Sequence, residues 1–275
     1  MRTLLICHAD APLDRDGLTR WLRSFSDYVG TLVIQEPPGR LRRRIAREVR
    51  RVGYVRFVDV LAFRAHYALF RAAADRRWER SELETLRARF PNAPDSPELL
   101  VQSPNSGAAE AFMRERRPDL VIARCKTLVQ ERIMSIPRLG IYVLHPGICP
   151  EYRNAHGCFW AIAMRDYSKV GATLLRIDRG IDTGPVFAHF PVHADPRHES
   201  HIVTQHRSVL EHLDDIREKL CNIETGTAVP LDTAGRQSAT WGQPWLSAYL
   251  RGRRSPISSV VRSADPLYAR LRPGP

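Results

Sequence analysis

Lysine is almost missing from this chain: Lys126, Lys169 and Lys219 are its lysines, and the other 39 of its 42 basic residues are arginines. A net charge of +12 built this way reads as compositional bias as readily as an anion-seeking surface. Long hydrophobic runs are absent too. No stretch approaches the ~20 apolar residues that cross a bilayer, and the opening Leu4-Leu5-Ile6-Cys7 run is too short for the core of a secretory signal. No membrane association is expected, and the expected location is cytoplasmic. Cysteine is sparse: Cys7, Cys125, Cys149, Cys158 and Cys221 are odd in number, widely spaced and form no C-x-x-C pair, which argues against a disulfide framework. Aromatics do not interleave with the arginines as a single-strand nucleic-acid platform requires. What remains, 43% hydrophobic and 26% charged residues over a length of 275, is the balance of a globular protein with room for one α/β core and an appendage.

The patterning alternates. Thr3–Cys7, Thr31–Gln35, Leu99–Gln102, Leu120–Ala123, Ile141–His145, Gly171–Ile177 and Pro185–Phe190 read as strands, with Ala9–Asp16 as a turn. Helical spacing falls on 17–25, 107–116, 130–134, 158–165 and a single long helix over 201–222; Asn105 and Ser106 offer a cap before Gly107. Strands alternating with helices predict an α/β, Rossmann-like fold with a mainly parallel sheet, whose ligands sit where loops leave the carboxyl ends of strands. Arg42, Arg43, Arg44, Arg47, Arg50, Arg51 and Arg56, with Leu41, Ile45, Val49 and Val52 between them, describe an amphipathic helix whose basic face is either solvated or anion-attracting. Residues 53–97 read as a helical insertion or an irregular pair of helices, ending in a Pro91–Pro97 loop. The domain reading is an α/β domain over 1–225 and a Pro-rich C-terminal tail over 226–275 that partly packs on it.

Two segments concentrate chemistry. One runs from Gly140 through His145-Pro146-Gly147, Pro150-Glu151-Tyr152-Arg153 and Asn154 to Trp160-Ala161. The other runs from Gly171-Ala172-Thr173 to Asp178-Arg179-Gly180-Ile181-Asp182-Thr183-Gly184-Pro185. Each is an apolar strand that ends in a polar residue at a loop edge. A histidine near a carboxylate is an acid–base pair suited to neutral pH. Plainer roles exist beside these: a strand-end His145 satisfied by a carbonyl, and an Asp178 that only shapes its turn. His145, Cys149, His156 and Cys158 match no common zinc spacing, so no metal is expected. Cys149 as a nucleophile would need a thiolate-stabilising neighbour. His193, His198, His201 and His206 read as surface residues.

In order and spacing these sub-motifs resemble the 10-formyltetrahydrofolate-dependent formyltransferases, a family that includes methionyl-tRNA and glycinamide ribonucleotide formyltransferases, with formyltetrahydrofolate hydrolase as a relative. The resemblance implies a transferase that moves a formyl group from 10-formyltetrahydrofolate to the amine of a small molecule such as an amino sugar or amino acid derivative. It implies a catalytic Asn-His-Asp trio, of which His145 and Asp182 match the His and Asp. Val143 stands where the family has its Asn. Asn154 or His156 could supply the missing donor, His145 and backbone N–H groups could suffice, or the reaction could have changed to hydrolysis, another acyl transfer or simple metabolite binding. By the same resemblance the cofactor lies along Arg124, Cys125, Lys126, Thr127 and Leu128, and along the turn that includes Ile177, Asp178 and Gly180. A tRNA acceptor is not expected, because that subfamily carries a sizeable C-terminal barrel and a Pro-rich stretch follows the match here. A homodimer is the assembly to test.

Overall fold

The computed structural model describes residues 1–37, 39–91 and 96–253, the side chains of 40–44 excepted. The Arg42, Arg43 and Arg44 side chains, most of the Pro91–Pro97 loop and the tail beyond Arg253 lie outside the described residues. Strand β1 (Arg2–His8) leads through a π-helical segment (Leu13–Leu18) into α1 (Thr19–Arg23) and β2 (Asp27–Ile34). Helices α2 (Arg40–Phe70) and α3 (Ala72–Arg89) follow, then β3 (Glu98–Val101), α4 (Gly107–Arg116), β4 (Leu120–Arg124), α5 (Glu131–Met134) and β5 (Gly140–His145). A short β6 (Arg153–Asn154), α6 (Gly157–Ala163), the hairpin strands β7 (Gly171–Arg176) and β8 (Val186–Pro191), α7 (His201–Leu210), α8 (Leu213–Glu224), β9 (Thr240–Trp241) and α9 (Leu246–Arg253) complete the order.

One seven-stranded sheet runs β3-β2-β1-β4-β5-β7-β8. Its first five strands are parallel, and β7 and β8 close it antiparallel. The central strands are apolar on both sides because helices cover both faces. Leu5, Cys7, Leu120, Ile122, Tyr142 and Leu144 pack on α1, α3, α7 and α8. Their alternates Leu4, Ile6, Val121, Ala123 and Ile141 pack on α4. Strand order reverses between β1 and β4, so the crevice expected to take ligands lies at the carboxyl ends of β1, β4 and β5. Ser106 caps α4 by accepting the Ala109 N–H at 3.2 Å.

Of the two readings of residues 53–97, the helices are a pair, and α2 itself is broken at Gly53, whose φ of 78° and ψ of 165° suit glycine alone. Three other expectations need correction. Residues 9–16 are not all turn: the helical segment begins at Leu13, and its Asp14 is tolerated inside by an ion pair with Arg124. The single helix over 201–222 is two, because His212 leaves helical geometry and its Nε2 donates to the Pro191 carbonyl at 2.9 Å. His201 is not on the surface. It is buried among Phe63, Tyr67, His156 and Phe159.

A second core gathers Tyr152, Phe159, Trp160, Trp241 and Ala248 around α6. Within the stretch read as tail, β9 pairs in parallel with β6 and α9 packs on α6 and α2.

Candidate active site

Alternation along β5 sends Tyr142 and Leu144 into one core and Ile141 into the other, and leaves His145 at the strand's carboxyl end opposite Thr173 of β7. His145 is 3% exposed. Its Nε2 donates to the Tyr152 carbonyl at 2.8 Å, and its Nδ1 lies 3.4 Å from Oδ2 of Asp182. Both ring nitrogens therefore face acceptors within the protein. The chain can fold back under the ring only because two glycines meet there. A Cβ on Gly157 would lie 2.6 Å from the Gly147 Cα, and one on Gly147 would lie 3.0 Å from His145 Nε2. The Thr173 hydroxyl ties the same loop, donating to the Gly147 carbonyl at 2.6 Å and accepting the Cys149 N–H at 3.0 Å.

Asp182 sits in left-handed geometry, φ 51°, at the end of the β7–β8 turn. Asp178 builds that turn: its Oδ1 accepts from the Gly180 N–H at 2.9 Å and the Thr183 hydroxyl at 2.7 Å. Oδ2 of Asp182 also accepts the backbone N–H of Asn154 at 2.7 Å, and Arg153 donates to the Ile181 carbonyl at 3.1 Å, so the 153–154 strand and the turn are clipped together. The Asn154 side chain is directed elsewhere, its Nδ2 donating to the Trp241 carbonyl at 2.5 Å. Trp241 in turn stacks between Tyr152 and Trp160, with ring centroids 5.6 and 4.9 Å away.

His156 lies beyond this pair as the left-handed residue preceding α6, its Nδ1 buried with no hydrogen-bond partner among the described residues. Burial, and then the Lys126 and Arg64 cations, push its pKa down to about 4, so it is neutral at pH 7. Cys149 is no nucleophile in this setting. Burial, reinforced by the Asp182 charge, drives its thiol up, and burial takes Cys158 to about 12. Among the described residues no group of three or more His, Cys, Asp or Glu is disposed to hold a metal ion.

The β4–α5 loop opens at the same edge. Cys125, Val129, Val143 and Ile177 are half-buried apolar residues packed against one core cluster. Leu128 and Lys126 are exposed, and the Lys126 ammonium meets no carboxylate among the described residues. Thr127 accepts the Cys125 thiol at 3.5 Å, and the Lys126 N–H donates to His8 at the end of β1. Arg124 turns inward: its Nε donates to Asp14 at 3.0 Å and its Nη1 to the Leu144 carbonyl. Of the residues assigned to the cofactor by resemblance, Arg124 is thus engaged by the protein, and Asp178 by its own turn. The half-buried Cys125, Val143 and Ile177, with the exposed Lys126 next in sequence to Cys125, have the chemistry to suit a flat, partly apolar group that carries carboxylates.

Four contributors had no assigned role in the sequence reading: the Tyr152 carbonyl, Thr173, Trp241 and Asp14. Thr173 was visible as part of a Gly-x-Thr motif. Tyr152 lay in the Pro150–Arg153 motif, whereas Trp241 and Asp14 carry no local signal.

The chain folds as a doubly wound sheet with a His–carboxylate pair at the end of its fifth strand. Residues 97–214 match the formyl transferase family. Relatives by sequence include methionyl-tRNA formyltransferases of Thermotoga maritima, 31% identical over 101 residues, and of Microcystis aeruginosa, 36% identical over 84. The first alignment spans 36% of this chain and 32% of the relative, so the chain matches about a third of that protein's length. By structure it resembles a sugar N-formyltransferase from a Shewanella species, with a TM-score of 0.51 at 14% identity, covering 87% of this chain and 76% of that one. It also resembles a phosphoribosylglycinamide formyltransferase from Anaplasma phagocytophilum, with a TM-score of 0.51 at 11% identity, covering 86% and 95%. These likenesses establish the fold.

Proposed function

We propose that this protein transfers a formyl group from 10-formyltetrahydrofolate to the amine of a small molecule, with His145 and Asp182 handling the protons. The observation that carries the reading is the 3.4 Å approach of His145 Nδ1 to Asp182 Oδ2 at the carboxyl end of a parallel strand. The folate would supply an activated formyl carbon when bound, and the half-buried Cys125, Val143 and Ile177 with Lys126 support the assignment of the cofactor to this edge. The amine nitrogen would form a C–N bond to that carbon while the carbon's bond to the folate nitrogen breaks. Its proton passes to the His145–Asp182 pair, and a proton from the pair goes to the departing nitrogen, so the pair ends as it began.

Val143 offers no hydrogen-bond donor toward the formyl oxygen, and the Asn154 side-chain N–H is directed to Trp241. Loss of a dedicated donor costs on the order of 10²–10³ in turnover. The same valine favours a second reading, hydrolysis of the formyl group by water.

Incubation with 10-formyltetrahydrofolate and a panel of amino sugars and amino acid derivatives separates the two. Transfer predicts an N-formylated amine by mass spectrometry, together with amine-dependent release of tetrahydrofolate. Amine-independent release with formate as product establishes the hydrolase instead. No release under either condition overturns both.

A further inference from the structure

Helix α2 beyond Gly53 has two apolar faces, and the fold uses one of them. Val60 and Phe63 are buried, with Tyr67 packed on His201. On the opposite face Tyr54, Val55, Val58, Leu61 and Leu69 are between 44% and 87% exposed. At 100° per residue, Tyr54, Val55, Val58, Leu61, Ala62, Ala65, Ala68 and Leu69 fall on a single arc that carries no charged residue. The nearest charges are drawn away from it: Arg56 stacks over Trp245 at 4.7 Å, Asp59 binds Ser247, and Arg64 donates to Gln243 at 3.2 Å. Positions 54, 58, 61, 65 and 68 alternate steps of four and three, the spacing of a seam that packs on another helix.

We propose that this seam is the interface of a two-fold homodimer, in which two copies of residues 54–69 pair antiparallel. Size complementarity selects the second copy. The N-terminal half of the seam is bulky (Tyr54, Val58, Leu61), and the C-terminal half is small (Ala62, Ala65, Ala68). An antiparallel dyad sets Val58 against Ala68 of the partner subunit and Leu61 against Ala65 of the partner subunit, bulk into hollow twice over. A two-fold contact requires one patch that complements itself, and this one does. The area agrees. The exposed Tyr54, Val55, Val58, Leu61 and Leu69 with the adjoining Phe70 present on the order of 800 Å², about what each partner contributes to a stable interface and more than the ~300–600 Å² patch of a typical monomer. An anionic lipid surface fits less well, since the alanine half has little to insert and the flanking Arg56 and Arg64 turn toward Trp245 and Gln243. The inference is independent of the reaction proposed above.

Sedimentation equilibrium on the full chain tests it, with Val58→Asp and Ala65→Glu as variants at exposed positions. The expected result is a particle of twice the 31.4 kDa chain mass that both variants convert to monomer while melting temperature is retained within a few degrees. Mixing Val58→Cys with Ala68→Cys protein under mild oxidation should give a crosslink between the two variants in excess of either self-crosslink, with unmodified protein as the control for native thiols. A wild-type monomer at tens of micromolar overturns the proposal. So does a dimer unaffected by both variants, or a monomer that sediments with phosphatidylserine vesicles.

Discussion

Oδ2 of Asp182 is shared: it accepts the backbone N–H of Asn154 at 2.7 Å and lies 3.4 Å from Nδ1 of His145. The carboxylate therefore faces the imidazole from a position fixed by main chain rather than by another flexible side chain. Asp182→Asn should lower turnover at least a hundredfold with little change in melting temperature, and His145→Ala should do the same. Steady-state kinetics beside thermal melts check this. Full activity in either variant removes that residue from the chemistry.

Asn154 holds that geometry through its φ of 72° and through Trp241. Asn154→Ala should cost about 1–2 kcal/mol, from the strained backbone and the lost hydrogen bond. Turnover should fall with it, whereas Asn154→Gly, which tolerates the dihedral and keeps the N–H, should restore most of the turnover. The comparison separates a positioning role from a direct one.

Arg124 and Asp14 form an ion pair with both side chains about 90% buried. Removing the guanidinium alone leaves a carboxylate without its partner, so Arg124→Met should destabilise the fold by about 3–5 kcal/mol. Denaturant titration measures this. A neutral outcome would show that water reaches Asp14.

His156 should make the protein acid-sensitive. Its folded pKa, about 4, lies below the ordinary 6.5 of the unfolded chain, so the unfolded state binds the extra proton between those values. Stability contributed by the neutral ring is complete above pH 6.5 and is lost as pH falls toward 4, by roughly 2–3 kcal/mol. Burial lowers His201 in the same direction. Melting temperature should fall across that window, and the fall should be shallower in His156→Asn, which accepts the left-handed backbone.

Much of this was legible in the order of residues, and the remainder failed for identifiable reasons. The strands of the parallel sheet announce themselves because burial on both faces demands continuous apolar runs. His145 was visible because it closes such a run, and Asp182 because it lies in a dense Asp/Gly turn motif. The break at His212 was not, since apolar periodicity continues across it and what ends α7 is a hydrogen bond to Pro191, 21 positions earlier. Asp14 reads as a turn residue until Arg124, 110 positions on, is seen beside it. Trp241 follows a stretch rich in loop formers, and its packing between Tyr152 and Trp160 leaves no trace in its neighbours.

The β6–β9 pairing sets an order of events during translation. Asn154 waits 87 positions for the carbonyl it binds. A nascent chain that has emerged as far as α8 already holds His145, Asp182 and the whole seven-stranded sheet. The clasp over its reactive edge is fastened only once residue 241 clears the ribosome.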